Sequence, residues 1–207
     1  MPIPTDFATR RLHIEYVPQR SEALLRIFKV PPGAAPSPIY YGAKSLNRFD
    51  SPSGSFGVVY AGFDLSTCFA ETITREANRN PQKNLGIPVS DAADIQPRYV
   101  ATLQCARPLR LANMTDVGLY EIGAEAGEFN SVDYKTTTQL WAEQLFNRPE
   151  QVDGIYYRSR FLNGRTAVAI FDRGGAKVLL MATKVDPLDA HPEFPKALSE
   201  LNIALMP

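Results

Sequence analysis

VVYAGFDLSTCFAETITRE, residues 58–76, changes its period part-way along. VVYAG is a β-branched and aromatic run of the kind that fits a pleated strand. Asp64 is a good N-cap, and after it Leu65, Cys68, Phe69, Thr72 and Glu76 share one helical face. The stretch predicts a short strand, a turn and a helix. At the helical step of about 100° per residue, Glu71 falls roughly 120° from the centre of that face, at its polar border, where a side chain can line a cleft.

The same reading extends outward. Upstream, LLRIFKV (24–30) is a strand ended by PPGAAPSP, and YYGAKSLNRFDSPSGSFG (40–57) is a shaped loop. Downstream, NRNPQKNLGIPVSDAADIQPR (78–98) is polar, broken by prolines, and reads as a long insertion loop. YVATLQC (99–105) alternates as a strand, and PLRLANM begins another extended piece. In YKTTTQLWAEQLFN (134–147), Tyr134, Thr138, Trp141 and Leu145 recur at helical spacing, and Pro149 follows the end. DGIYYRS (153–159), TAVAIFD (166–172) and KVLLMA (177–182) are three strands joined by FLNGR and RGG turns. The tail, 186–207, is interrupted by prolines and predicts a short helix in EFPKALSELN. Few helices among many short strands, without βαβ spacing, indicate an α+β fold.

The chain of 207 residues is read as a single domain, 1–207, large enough for a substantial core. Its formal net charge is zero, so it lacks the broad basic field used to bind nucleic acid or anionic membranes directly. MPIPTDFATRR has no apolar core of signal-peptide length, and no stretch approaches the roughly 20 apolar residues that span a bilayer. Cys68 and Cys105 form no CxxC pair, and Cys68 reads as a small buried hydrophobe. His13 and His191 are the only histidines, which argues against a histidine-centred metal site. The expectation is a cytoplasmic protein without metal or disulfide; its oligomeric state, monomer or homo-oligomer, is not legible.

Nucleotide-fold and hydrolase templates are absent: no GxGxxG after a strand, no GxxxxGK[ST], no HExxH and no GxSxG. What remains is a set of polar residues at the edges of apolar segments. Arg26 lies in LLRIFKV, Arg48 in NRFDSP, Tyr60 in VVYAG, Glu71 in the helix, and Ser159 at the end of DGIYYRS. Singly, each has an ordinary explanation in solvation, packing or turn chemistry.

Taken in order, these pieces resemble the RES domain family, named for its arginine, glutamate and serine. RIF at Arg26, NRFD at Arg48, VVYAG at Tyr60 and FAETI at Glu71 match its early strand, its G-R-W-[ND] loop, its V-V-Y-[AT] strand and its glutamate helix. YKTTTQLWAEQL and DGIYYRSR resemble its later helix and serine-bearing strand, which places the serine at Ser159. The resemblance covers residues 24–172. Phe49 stands for the family's tryptophan, Asn47 for its glycine, and DGIYYRSR departs from the V-P-S-A form of some members.

The resemblance implies an ADP-ribosyltransferase-like split mixed β-core with flanking helices and a cleft for NAD+. It also implies a bacterial toxin neutralised by an antitoxin that carries a helix-turn-helix DNA-binding domain. In that setting Glu71, Arg48, Tyr60 and Ser159 are the catalytic candidates. Arg26, Arg48, Tyr60 and Ser159 are the NAD-binding candidates. NAD+ is a substrate and not a prosthetic group, with inorganic phosphate a candidate co-substrate. Arg158 and Arg160 flank Ser159, and strand alternation directs both away from it.

Cleavage of the nicotinamide N-glycosidic bond passes through an oxocarbenium-like state, and nicotinamide leaves neutral. One carboxylate therefore suffices where ordinary glycosidases use two. The acceptor (water, phosphate or a macromolecule) is left open. Two alternatives share the fold: an ADP-ribosyltransferase acting on a protein or small molecule, and a non-catalytic partner-binding protein.

Overall fold

The computed structural model describes residues 3–17, 24–42, 45–74, 89–130, 133–174 and 180–206. In chain order the strands are β1 (Ile14–Val17), β2 (Leu24–Lys29), β3 (Val58–Gly62), β4 (Val89–Asp91), β5 (Arg98–Cys105), β6 (Leu109–Met114), β7 (Gly154–Arg158), β8 (Thr166–Phe171), β9 (Leu180–Pro187) and β10 (Ala204–Met206). The helices are α1 (Leu65–Phe69), α2 (Ala92–Ile95), α3 (Asp116–Ile122), α4 (Ala126–Asn130), α5 (Thr138–Asn147) and α6 (Phe194–Glu200). The fold is α+β.

Eight strands form one curled mixed sheet in the order β1-β6-β7-β8-β3-β2-β5-β9. Neighbours pair antiparallel except β6 and β7, which are parallel. A parallel pair needs a crossover connection, and α3, α4 and α5 lie on that connection. β4 and β10 form a separate parallel pair.

Period-two alternation sorts the sheet's side chains between two apolar layers. Ile155, Tyr157, Ala169 and Phe171 join Trp141 and Leu145 of α5 on one face. Val168 and Ile170 join Leu103, Leu109 and Leu111 on the other. β8 is thus covered on both sides, which is why TAVAIF reads as a nearly unbroken apolar run. A third cluster packs Leu65, Phe69 and Ile73 with Phe194 of α6 over Ile27 and Val100. Full burial of such side chains contributes about 1.5–3 kcal/mol each, so α6 is a firm backing for α1.

Several expectations change. Of the anticipated insertion loop, 78–98, residues 78–88 lie outside the described residues, whereas 89–98 holds β4, α2 and the start of β5. Of the anticipated strand 177–182, residues 177–179 lie outside the description, and the strand runs on to Pro187, into the segment read as tail. The helix expected over 134–147 starts at Thr138, after turns at 134–137. β1, α3 and α4 were not anticipated; all are short, below the length at which periodicity is diagnostic. No helix among the described residues is long and apolar enough to cross a membrane.

Candidate active site

β2 and β3 meet in register only at Leu25 opposite Gly62. Beyond that pair they part, while β2 stays paired with β5 and β3 with β8 along their lengths. The sheet is therefore split. Arg26 bridges the gap, its Nη1 donating to the carbonyl oxygen of Tyr60 at 2.9 Å, where a ladder bond would otherwise lie. α1 closes over the end of the split. Cys68 donates its S–H to the carbonyl of Leu25 at 3.0 Å, and a Cβ on Gly62 would come within 2.8 Å of the same sulfur. Nothing larger than glycine fits position 62 unless the Cys68 side chain or α1 shifts.

The Asp64 carboxylate caps α1, accepting from Thr67 N at 2.8 Å and Thr67 Oγ1 at 2.7 Å. Such a cap stabilises a helix by about 1 kcal/mol. Arg165 ties the cap to α6 by bonding both Asp64 and Glu200. After Phe69 the helix widens into π-helical turns over Ala70–Thr74. The regular step of about 100° changes only there, and Glu71 is half-buried and lines a cavity, as its border position anticipates; Glu76 lies outside the described residues.

Contacts from a distant segment hold the Glu71 carboxylate in place. Its Oε1 accepts from Ser159 Oγ at 2.7 Å and from the backbone N–H of Arg160 at 2.9 Å. Ser159 is fully buried. Its Oγ also accepts from the N–H groups of Leu162, at 3.1 Å, and Phe161, at 3.3 Å, so one hydroxyl shapes the turn after β7 and orients the acid.

Glu71, Arg26, Arg48 and Tyr60 line one cavity of about 180 Å³. The four are brought together; Ser159 is not on that wall and stands behind Glu71. Asn47 and Tyr157 also line the cavity and were not singled out from sequence. Tyr157 carried a usable signal, since it sits two residues before Ser159 in DGIYYRS, the stretch read as one strand.

Arg48 is 5% exposed. It stacks on the rings of Phe49 and Tyr157, with its guanidinium carbon 5.1 and 5.0 Å from their centroids. It donates to the carbonyl of Arg158 at 3.2 Å and to that of Phe129. The Nε atoms of both Arg48 and Arg26 are buried without a hydrogen-bond partner among the described residues. Arg158 turns outward onto Asp116, as alternation requires. Arg160 does not follow the alternation, because β7 ends at Arg158; it bonds Tyr134 and its charge is felt at Arg48.

Burial pulls the Arg48 guanidinium below its usual value, partly offset by Tyr157 and Glu71. Burial does the same to Arg26, offset by Cys68 and Tyr60. Both remain cations at neutral pH, since a guanidinium starts from far above it. Burial, then the charge of Asp50, pushes the Tyr60 phenol well above its ordinary value. Burial pushes the Cys68 thiol up to about 12, so it is no nucleophile at neutral pH. The wall therefore presents a carboxylate, two cations and a neutral phenol ring, a set suited to an anionic ligand whose reacting centre becomes positive.

The RES domain matches residues 23–195, most of the chain. The chain belongs to the RES domain family. No curated protein matches it in sequence. A chain in the crystal structure of the M. tuberculosis MbcT–MbcA toxin–antitoxin complex shares the fold, with a TM-score of 0.59 at 16% identity over 97% of this chain and 99% of that one. In this RES domain the arginine of β2, the arginine of NRFD, the tyrosine of β3 and the glutamate after α1 converge on one cavity.

Proposed function

We propose that this RES domain cleaves the nicotinamide N-glycosidic bond of NAD+ in the cytoplasm, acting as the toxin of a toxin–antitoxin pair. The observation that carries the reading is Glu71 on the cavity wall, its Oε1 held by Ser159 and Arg160, with the buried Arg48 and the half-buried Arg26 lining the same cavity. As the bond between C1′ and the ring nitrogen lengthens, its electron pair leaves with nicotinamide, which departs neutral. Positive charge develops at C1′, and the carboxylate stabilises it; electrostatic help of this kind is worth about 10²–10³ in rate. Glu71 Oε2 bonds no described residue and is the oxygen left for a ribose hydroxyl. The acceptor oxygen of water or phosphate then bonds to C1′, and its proton passes to solvent.

Arg26 and Arg48 face the anionic half of the substrate. Tyr60 offers its ring to the cationic nicotinamide. Ser159 acts through Glu71 and not on the ligand. At about 180 Å³ the cavity is below the roughly 300–1,000 Å³ of complete small-molecule pockets, so it suits the nicotinamide–ribose end and leaves the adenosine end outside. The partner half of the proposal, an antitoxin with a helix-turn-helix DNA-binding domain, rests on the family and on the toxin–antitoxin complex whose chain shares the fold.

The test is incubation of purified protein with NAD+, with and without inorganic phosphate, followed by chromatography of nicotinamide and the ADP-ribose product. Free nicotinamide with ADP-ribose indicates hydrolysis; an ADP-ribose phosphate ester formed only with phosphate indicates phosphorolysis. Absence of nicotinamide under both conditions refutes the reading.

A further inference from the structure

Asp50 is 1% exposed, and nothing in the mechanism above uses it. Its Oδ1 accepts from the Tyr60 hydroxyl at 2.9 Å. Its Oδ2 accepts from the N–H groups of Leu46, at 3.0 Å, and Asn47, at 2.8 Å, and from Asn47 Nδ2 at 3.0 Å. The Tyr60 oxygen in turn accepts from Phe49 N at 2.8 Å. One buried carboxylate thus ties the NRFD loop, which carries Arg48, to Tyr60, a strand residue that lines the cavity. A carboxylate so far from water holds its place only where its lone pairs are met, and both oxygens are met by donors.

We propose that Asp50 is a positioning residue of the active site, holding the Tyr60 ring and the Arg48 loop in one fixed arrangement around the cavity. The inference rests on the reading of that cavity as the site of NAD+ cleavage. It also assigns the Tyr60 hydroxyl. With one bond given to Asp50 and one received from Phe49, the hydroxyl is anchored in the loop, and the tyrosine meets the ligand with its ring.

Asparagine shows why position 50 takes an acid. If the amide oxygen faces the three N–H donors, the amide nitrogen faces Tyr60, which must then accept from both it and Phe49 and turn its own proton elsewhere. The loop survives, but the phenol's own proton loses its acceptor, and the ring is held only by the bonds its oxygen receives. Displacement of reacting groups by about 1 Å costs about 10²-fold in rate.

The experiment compares wild type, Asp50→Asn, Tyr60→Phe and the double variant by kcat and KM for nicotinamide release, each corrected for the folded fraction by thermal melting. The expected result is a fall of about 10²-fold in kcat for Asp50→Asn, a comparable fall for Tyr60→Phe, and a double variant no worse than the poorer single. A merely structural Asp50 would lower the melting temperature while leaving kcat per folded molecule unchanged, and that result overturns the inference. Should Asp50→Asn not fold, Tyr60→Phe alone decides, and wild-type kcat in it overturns the inference as well. A wild-type protein that releases no nicotinamide refutes the cleavage reading itself, an outcome distinct from an active wild type whose variants are equally active.

Discussion

Glu71→Gln and Glu71→Ala separate the charge of Glu71 from its place in the structure. Oε1 accepts two bonds, from Ser159 Oγ at 2.7 Å and Arg160 N at 2.9 Å. A glutamine carbonyl oxygen in the same place accepts both, so Glu71→Gln keeps the contacts and removes only the charge. Neutral acceptors are weaker than charged ones, and the expected loss of stability is about 1 kcal/mol, or roughly 2–4 °C in a chain of this length. Alanine leaves both donors without the acceptor, at about 1–3 kcal/mol, or roughly 2–12 °C. In turnover the two converge: the glutamine variant already loses the electrostatic contribution of about 10²–10³, some 2.7–4 kcal/mol of barrier, and alanine adds little to that loss. The assays are nicotinamide release at saturating NAD+ and melting followed by circular dichroism. Wild-type turnover in Glu71→Gln removes Glu71 from the mechanism; a melting loss equal to that of alanine refutes the account of how it is held.

Other outcomes follow from the same geometry. Arg48→Lys cannot reproduce a planar guanidinium stacked on Phe49 and Tyr157 and bonded to the carbonyls of Arg158 and Phe129; it is expected to cost at least about 2 kcal/mol in urea unfolding and to raise KM for NAD+. Gly154→Ala would place a Cβ 2.1 Å from the backbone oxygen of Ala169, so β7 and β8 must shift; a loss of about 1–3 kcal/mol or more is expected in the urea midpoint. Cys68 rises from 9.0 to about 12 on folding, so the native state keeps a proton that the unfolded chain loses. Its contribution to stability is complete below about pH 9 and is lost as pH climbs from 9 towards 12, and Tyr41, raised from 10.0 to about 12, acts in the same direction. Melting temperature against pH should be insensitive to these two groups below pH 9 and fall above it, with a shallower fall in Cys68→Ala.

Local patterns were read well because their causes are local. β-Branched alternation marked β2, β3, β5 and β8, and a single carboxylate at position 64 marked the start of α1 with the hydrogen bond it makes. The order of short motifs placed an acid, two arginines and a tyrosine as one candidate set, and the fold brings those four to one cavity. Asp50 was visible in NRFD, but its role was not, since its bond to Tyr60 depends on how a loop folds back onto a strand.

Residue spacing by itself determined the longer strands and helices, because backbone periodicity and capping act over a few residues. Only the tertiary structure decided the directions of the functional groups. Helical spacing put Glu71 at the border of a cleft, but a serine 88 residues away determines where its carboxylate points. The opening between β2 and β3, spanned by Arg26, exists because each strand pairs fully with its other neighbour and only at one point with the other. Hydrogen bonds of that reach depend on chain segments meeting in space, and no local period encodes the meeting.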